Sequence, residues 1–80
     1  MGSHTITSRT PGVFYHRSSP DAEPYVTTGA TVAEGDTVGL VEVMKTFHEV
    51  KADAAGTVSK FLVENEDEVT IGQNLVELET

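Results

Sequence analysis

From Pro11 onward the chain alternates short apolar runs with turn residues, the pattern of a protein built from strands. Gly12-Val13-Phe14-Tyr15 predicts a first strand. Arg17-Ser18-Ser19-Pro20-Asp21-Ala22-Glu23-Pro24 packs prolines, serines and an aspartate into one stretch and predicts a loop. Tyr25-Val26-Thr27 predicts a return to extended chain, with turns at Gly29 and at Glu34-Gly35-Asp36. By contrast, Met1 to Arg9 is polar and patternless, which predicts a disordered lead-in; Met1-Gly2-Ser3-His4 reads as an expression scar. The folded unit is then expected over residues 10–80.

The C-terminal part repeats the design of the first. Val32-x-x-Gly35-x-x-Val38, ending at Val41-Glu42, aligns with Val69-x-x-Gly72-x-x-Leu75, ending at Leu78-Glu79, at an offset of 37 residues. Gly12-Val13-Phe14 matches Gly56-Thr57-Val58 at an offset of 44. The first half therefore holds seven extra residues between Phe14 and Val32, where Arg17–Glu23 has the composition of an inserted loop. Two similar halves, one carrying an insertion, predict a β structure with a pseudo-twofold axis.

One segment breaks this rhythm. From Thr37 to Ala52 no Pro, Asn or Asp interrupts the chain, which is longer than a usual strand. Val43, Phe47, Val50 and Ala54 have helical spacing, and Lys, Glu, Met and Ala favour a helix. A hairpin fits equally well: Val41 and Val43 flank an outward Glu42, while Glu49, Lys51 and Asp53 alternate with Val50 and Ala52. Its tip would fall at Met44-Lys45, where Asn-Gly is the usual chemistry. Spacing alone leaves both readings open. A local conflict of this kind is where a functional constraint is expected.

Composition narrows the function classes. Eighty residues and 8.6 kDa bound the chain to one small domain, with little core volume for an enzyme's deep pocket. Val, Ile and Thr supply 24 residues, which favours strands. Cysteine is absent, so disulfides and thiolate metal sites are excluded. A net charge of −8 opposes binding to nucleic acid or to anionic membrane. No apolar run approaches the ~20 residues of a membrane-spanning helix, and a cytoplasmic location is expected.

Glu42-Val43-Met44-Lys45 resembles the Glu-Ala-Met-Lys-Met biotin-attachment signature. Phe47-His48-Glu49-Val50-Lys51-Ala52 and Ala55-Gly56-Thr57-Val58 fit the same family. Gly12-Val13-Phe14-Tyr15, Ser19-Pro20-Asp21-Ala22, Gly35-Asp36-Thr37, Leu62-Val63-Glu64-Asn65 and Gly72-Gln73 resemble the biotin carboxyl carrier proteins of acetyl-CoA carboxylase. The likeness covers about Thr10 to Thr80. Two positions depart from the signature: Val43 stands where Ala is common, and Thr46 where Met is.

The resemblance implies an all-β fold, a flattened β-barrel of two four-stranded antiparallel sheets with a thumb-like loop at the insertion. It implies biotin joined by an amide bond to Lys45, with Met44 in the recognition tip. It also implies a non-catalytic carrier with three partners: a biotin protein ligase, a biotin carboxylase and a carboxyltransferase. Lipoyl carriers share the fold but usually place an acid before their lysine, where this chain has Met44. A lipoyl carrier and an unmodified protein-binding adaptor are the alternative functions.

The remaining candidates have simpler readings. Glu42 and Glu49 would guide the ligase or, as solvent-facing strand residues, keep the surface soluble. His4, His16 and His48 are too dispersed for a metal motif. Glu64, Glu66, Asp67 and Glu68 read as a solvated turn, without the spacing of a calcium loop. Phe47, Phe61, Leu62 and Leu75 are expected in the core.

Overall fold

β-Branched residues fill the strands and polar turns separate them, so the backbone closes its hydrogen bonds between neighbouring strands. The computed structural model describes residues 2–19 and 21–80; Met1 of the expected lead-in and Pro20 of the expected loop lie outside them. Eight strands follow in order: β1 (Ser3–Thr7), β2 (Gly12–Tyr15), β3 (Thr31–Val32), β4 (Thr37–Val43), β5 (Thr46–Lys51), β6 (Gly56–Phe61), β7 (Asp67–Val69) and β8 (Asn74–Glu79). They form two antiparallel four-stranded sheets, β1-β8-β6-β3 and β5-β4-β2-β7. The ladders do not run from one sheet into the other, so the expected barrel is flattened into two layers.

The pseudo-twofold relation is visible in the pairing. Exchanging β1 with β5, β8 with β4, β6 with β2 and β3 with β7 turns one sheet order into the other. One irregularity repeats as well. Ile6 pairs Val76 and Thr7 pairs Asn74, leaving Leu75 unpaired; Gly39 pairs Val50 and Thr37 pairs Lys51, leaving Val38 unpaired. Val38 and Leu75 are related by the 37-residue offset, and both are fully buried. A bulge re-aims one side chain, and here each bulge turns an apolar residue into the core. Around them lie Phe14, Val41, Val58, Val76 and Leu78, drawn from both sheets.

Two expectations fail here. Ser3–Thr7, assigned to a disordered lead-in, is a strand paired along its whole length with β8, and Ile6 enters the core. Its polar residues concealed the strand because an edge strand needs only one buried side chain in the right register. Tyr25-Val26-Thr27 forms no strand; only Thr31–Val32 pairs on that side of the loop. The Tyr25 N–H donates instead to the His16 carbonyl at 2.9 Å, which closes the loop at its root.

The inserted loop falls inside the predicted interval. Gly29 N–H to Val58 carbonyl has its twofold copy in Glu66 N–H to Phe14 carbonyl. Ala30 N–H to Thr27 carbonyl is likewise copied by Asp67 N–H to Glu64 carbonyl. The 44-residue offset therefore holds through Phe14 and the 37-residue offset from Thr27, with the surplus between them.

Candidate functional site at a hairpin tip

Antiparallel pairing carries β4 into β5 as far as Val43 opposite Thr46, leaving Met44 and Lys45 as a two-residue turn. The open choice between helix and hairpin is settled as a hairpin. Both turn residues lie in the left-handed region, Met44 at φ 50° and Lys45 at φ 67°. This is the conformation that the right-handed twist of paired strands prefers at such a turn, and it usually selects Asn-Gly. A residue with a Cβ is disfavoured there by about 1–2 kcal/mol. The pairing of β4 with β5 holds the strain in place, and the turn projects two long side chains from the end of the sheet. Lys45 is exposed, and Met44 is 93% exposed.

The outer face of this sheet supports the tip. Glu42 sits opposite Phe47, and Tyr15 donates its hydroxyl hydrogen to Glu42 Oε1 at 3.1 Å. That bond holds the Tyr15 hydroxyl above the usual phenol range, because ionisation would give up the donated hydrogen and then set two negative charges together. Glu42 is thus half-buried and occupied rather than simply solvent-facing. Glu49 accepts a hydrogen bond from Thr37 Oγ1 at 2.7 Å, which ties the base of β5 to β4.

Phe47, expected in the core, is 56% exposed, with its ring centroid 6.2 Å from that of Tyr15. The alternation that turns Glu49 outward turns Phe47 the same way, since strand side chains repeat every two residues. Leu62 is also exposed, because Val63 beside it takes the inward position. Phe61 packs against the core from a half-buried position, while Leu75 is fully buried as expected.

Tyr15 and Phe47 form one wall of a cleft whose other sides are Arg17, Ser18, Ser19, Asn65 and Glu66. The loop insertion and the tip hairpin therefore meet at one place. Arg17 donates through Nη1 to the Ala22 carbonyl at 3.4 Å, while its buried Nε has no partner among the described residues. The sequence singles out Lys45, Met44 and the loop as candidates but not Tyr15, Phe47 or Asn65. Alternation already turned Phe47 outward, whereas nothing local brings Asn65 to the loop.

The three histidines lie in separate places. His4 Nε2 donates to Asp53 Oδ1 at 2.6 Å, His16 lies under the loop root, and His48 is exposed on β5. Among the described residues no three His, Cys, Asp or Glu side chains gather as a metal site. Glu64 and Asp67 form a closed turn, the Asp67 carboxylate accepting the Glu64 N–H at 2.8 Å.

A family model described as "Biotin-requiring enzyme" matches residues 4–78. The chain belongs to this family. Biotin carboxyl carrier proteins of acetyl-CoA carboxylase are similar along most of the chain. The Streptococcus pyogenes protein is 43% identical over 67 residues, 84% of this chain and 40% of the relative. The Haemophilus influenzae protein is 33% identical over 79 residues, 99% of this chain and 51% of the relative. The chain thus spans about half the length of these relatives. Among solved structures, Kluyveromyces lactis urea carboxylase contains a region that superposes with a TM-score of 0.80 at 29% identity. That match covers 99% of this chain and 6% of the larger one. A single-chain, multi-domain long-chain acyl-CoA carboxylase matches at the same TM-score and 21% identity, a likeness of fold.

Proposed function

We propose that this chain is the biotin-carrying domain of a biotin-dependent carboxylase of the acetyl-CoA carboxylase type. It accepts a carboxyl group at a biotin carboxylase and delivers it at a carboxyltransferase. The observation that carries this reading is one lysine, Lys45, presented clear of the core at a strained two-residue tip, in a chain of the biotin-requiring family. Attachment needs an accessible ε-amine. Lys45 Nζ, in its neutral form, attacks the acyl carbon of an adenylated biotin supplied by a biotin protein ligase. The amide bond forms as the bond to the adenylate oxygen breaks, and the amine gives up a proton.

The residues present fit the group. Phe47 and Tyr15 offer an apolar wall for a ring system, and the buried Arg17 Nε is a donor without an acceptor among the described residues. Once attached, biotin supplies a ureido ring able to take up and release a carboxyl group. The chain's own part is to hold the tether, be recognised and restrain the ring. Lys45 carries the attachment, Met44 is read in the recognition tip, and the loop from Arg17 restrains the ring. The long arm confines the group near each active site and raises its effective concentration there. The domain itself is not catalytic and works in the cytoplasm.

Intact mass after co-expression with a biotin protein ligase and biotin tests this reading. A gain of one biotin, abolished by Lys45→Arg, is expected. No gain, a gain that survives Lys45→Arg, or addition of lipoate instead would overturn it.

A further inference from the structure

The pseudo-twofold axis gives each residue a mate, so places where the mates differ show what was added to the basic fold. β6 runs on to Phe61, whereas its mate β2 stops at Tyr15. The break falls at His16. β6 carries one extra residue between Val58 and Lys60, so Lys60 opposite Glu77 matches Tyr15 opposite Leu40, and the mate of His16 is Phe61, a strand residue opposite Val76. His16 has quite different surroundings. Its backbone N–H donates to Asn65 Oδ1 at 2.8 Å, and its carbonyl accepts the Tyr25 N–H at 2.9 Å. Its ring Nε2 lies 3.3 Å from the Val63 carbonyl; a carbonyl only accepts, so Nε2 carries the hydrogen. The ring stacks on Phe61 at 4.3 Å between centroids and meets Phe14 edge-on at 5.2 Å.

These contacts tie together three parts of the chain. His16 N–H, the His16 ring and the Glu66 N–H to Phe14 carbonyl bond clamp the end of β2 onto the 63–66 turn. The Tyr25 bond then fastens the returning limb of the loop to the same residue. The loop's departure and return are both fixed at His16, directly beside the cleft that Asn65 and Glu66 help to line.

We infer that His16, held by Asn65, is the positioning residue of the loop, setting where the loop stands relative to the Lys45 tip. The part of this inference that concerns a tethered ring rests on the carrier reading above. His16 touches no reacting atom; it acts through the loop. Removing its anchors leaves both sheets intact but lets the loop swing away from Phe47 and Tyr15, so that the cleft opens.

Amide hydrogen exchange measured on the full chain, before and after biotin attachment, tests the inference. In His16→Ala, and separately in Asn65→Ala, exchange across residues 18–25 is expected to rise roughly tenfold, the factor for losing about one hydrogen bond. Amides of β8 should remain protected. Asn65→Asp keeps a side-chain acceptor for the His16 N–H and should restore the slow exchange. In the biotinylated chain, nuclear Overhauser contacts between the ring and the loop should disappear in both Ala variants and persist in Asn65→Asp. Unchanged loop exchange in both Ala variants, equal loss of protection in β8, or no rescue by Asn65→Asp would overturn the inference. Asn65 is exposed, so its variant keeps the test sound even if His16→Ala fails to fold. A wild-type chain that takes up no biotin removes the carrier reading, while the exchange comparison still decides the anchoring.

Discussion

At the scale of single residues, side chains that decide the tip's surroundings work through one or two hydrogen bonds each. The Tyr15–Glu42 bond holds an aromatic wall beside the tip, and the His4–Asp53 bond fastens edge strand β1 to the chain just beyond β5. The Asp53 carboxyl lies below the usual carboxylate range, chiefly because it accepts the His4 hydrogen bond. Its folded pKa is depressed, so its stabilising contribution is complete above the ordinary value of 3.8 and is lost as pH falls through the folded value. Both groups are substantially solvated, so solvent screening keeps the contribution below about 1 kcal/mol. Asp53→Asn should therefore shift denaturation midpoints slightly at pH 7, and the variant's stability difference from wild type should shrink as pH falls below 3.8. Urea melts across that range check it.

At the scale of elements, the hairpin of β4 and β5 sacrifices local preference for presentation. Met44 and Lys45 both occupy left-handed backbone, a conformation better suited to Asn and Gly. Replacing the pair, Met44→Asn with Lys45→Gly, should stabilise the domain by about 1–2 kcal/mol while abolishing modification. Chemical denaturation and intact mass read the two effects separately. Met44→Asn alone should keep some of the gain and leave the Lys45 amine in place. Gly39 shows the converse, an element built around a missing side chain. A Cβ there would meet the Phe14 ring at 2.7 Å, so β4 passes closely under a residue at the centre of the core. The exposure of Phe47 also belongs to this scale: alternation, already visible at Glu49, places it outward once the hairpin is settled.

At the scale of the whole molecule, one four-strand plan is used twice and departs from itself where the site lies. The sheets, the bulges at Val38 and Leu75 and the turn bonds repeat, whereas the tip and the loop belong to the first half alone. Among the described residues the loop supplies none of the buried core, which comes from the strands and the turns between them. Deleting residues 17–23 should leave both sheets folded, with a denaturation midpoint near that of the parent and the Lys45 tip intact. Circular dichroism and a thermal melt check this outcome, and global unfolding would contradict the reading of the loop as an insertion.

By itself, the sequence determined the all-β class, the two offsets that expose the duplication, the inserted loop, and Lys45 as the residue to watch. These are legible because alternation, turn chemistry and motif spacing act over a few residues. Spacing left helix and hairpin open over Thr37–Ala52, and polar composition concealed β1. Tertiary structure decided both, because pairing with β8 makes a strand of polar residues and the sheet imposes a turn that Met-Lys would not choose. Only the folded chain brings Asn65 to His16, 49 residues away, and sets Phe47 beside the loop. Contacts of that kind depend on register and topology summed over the whole chain, which no local stretch encodes.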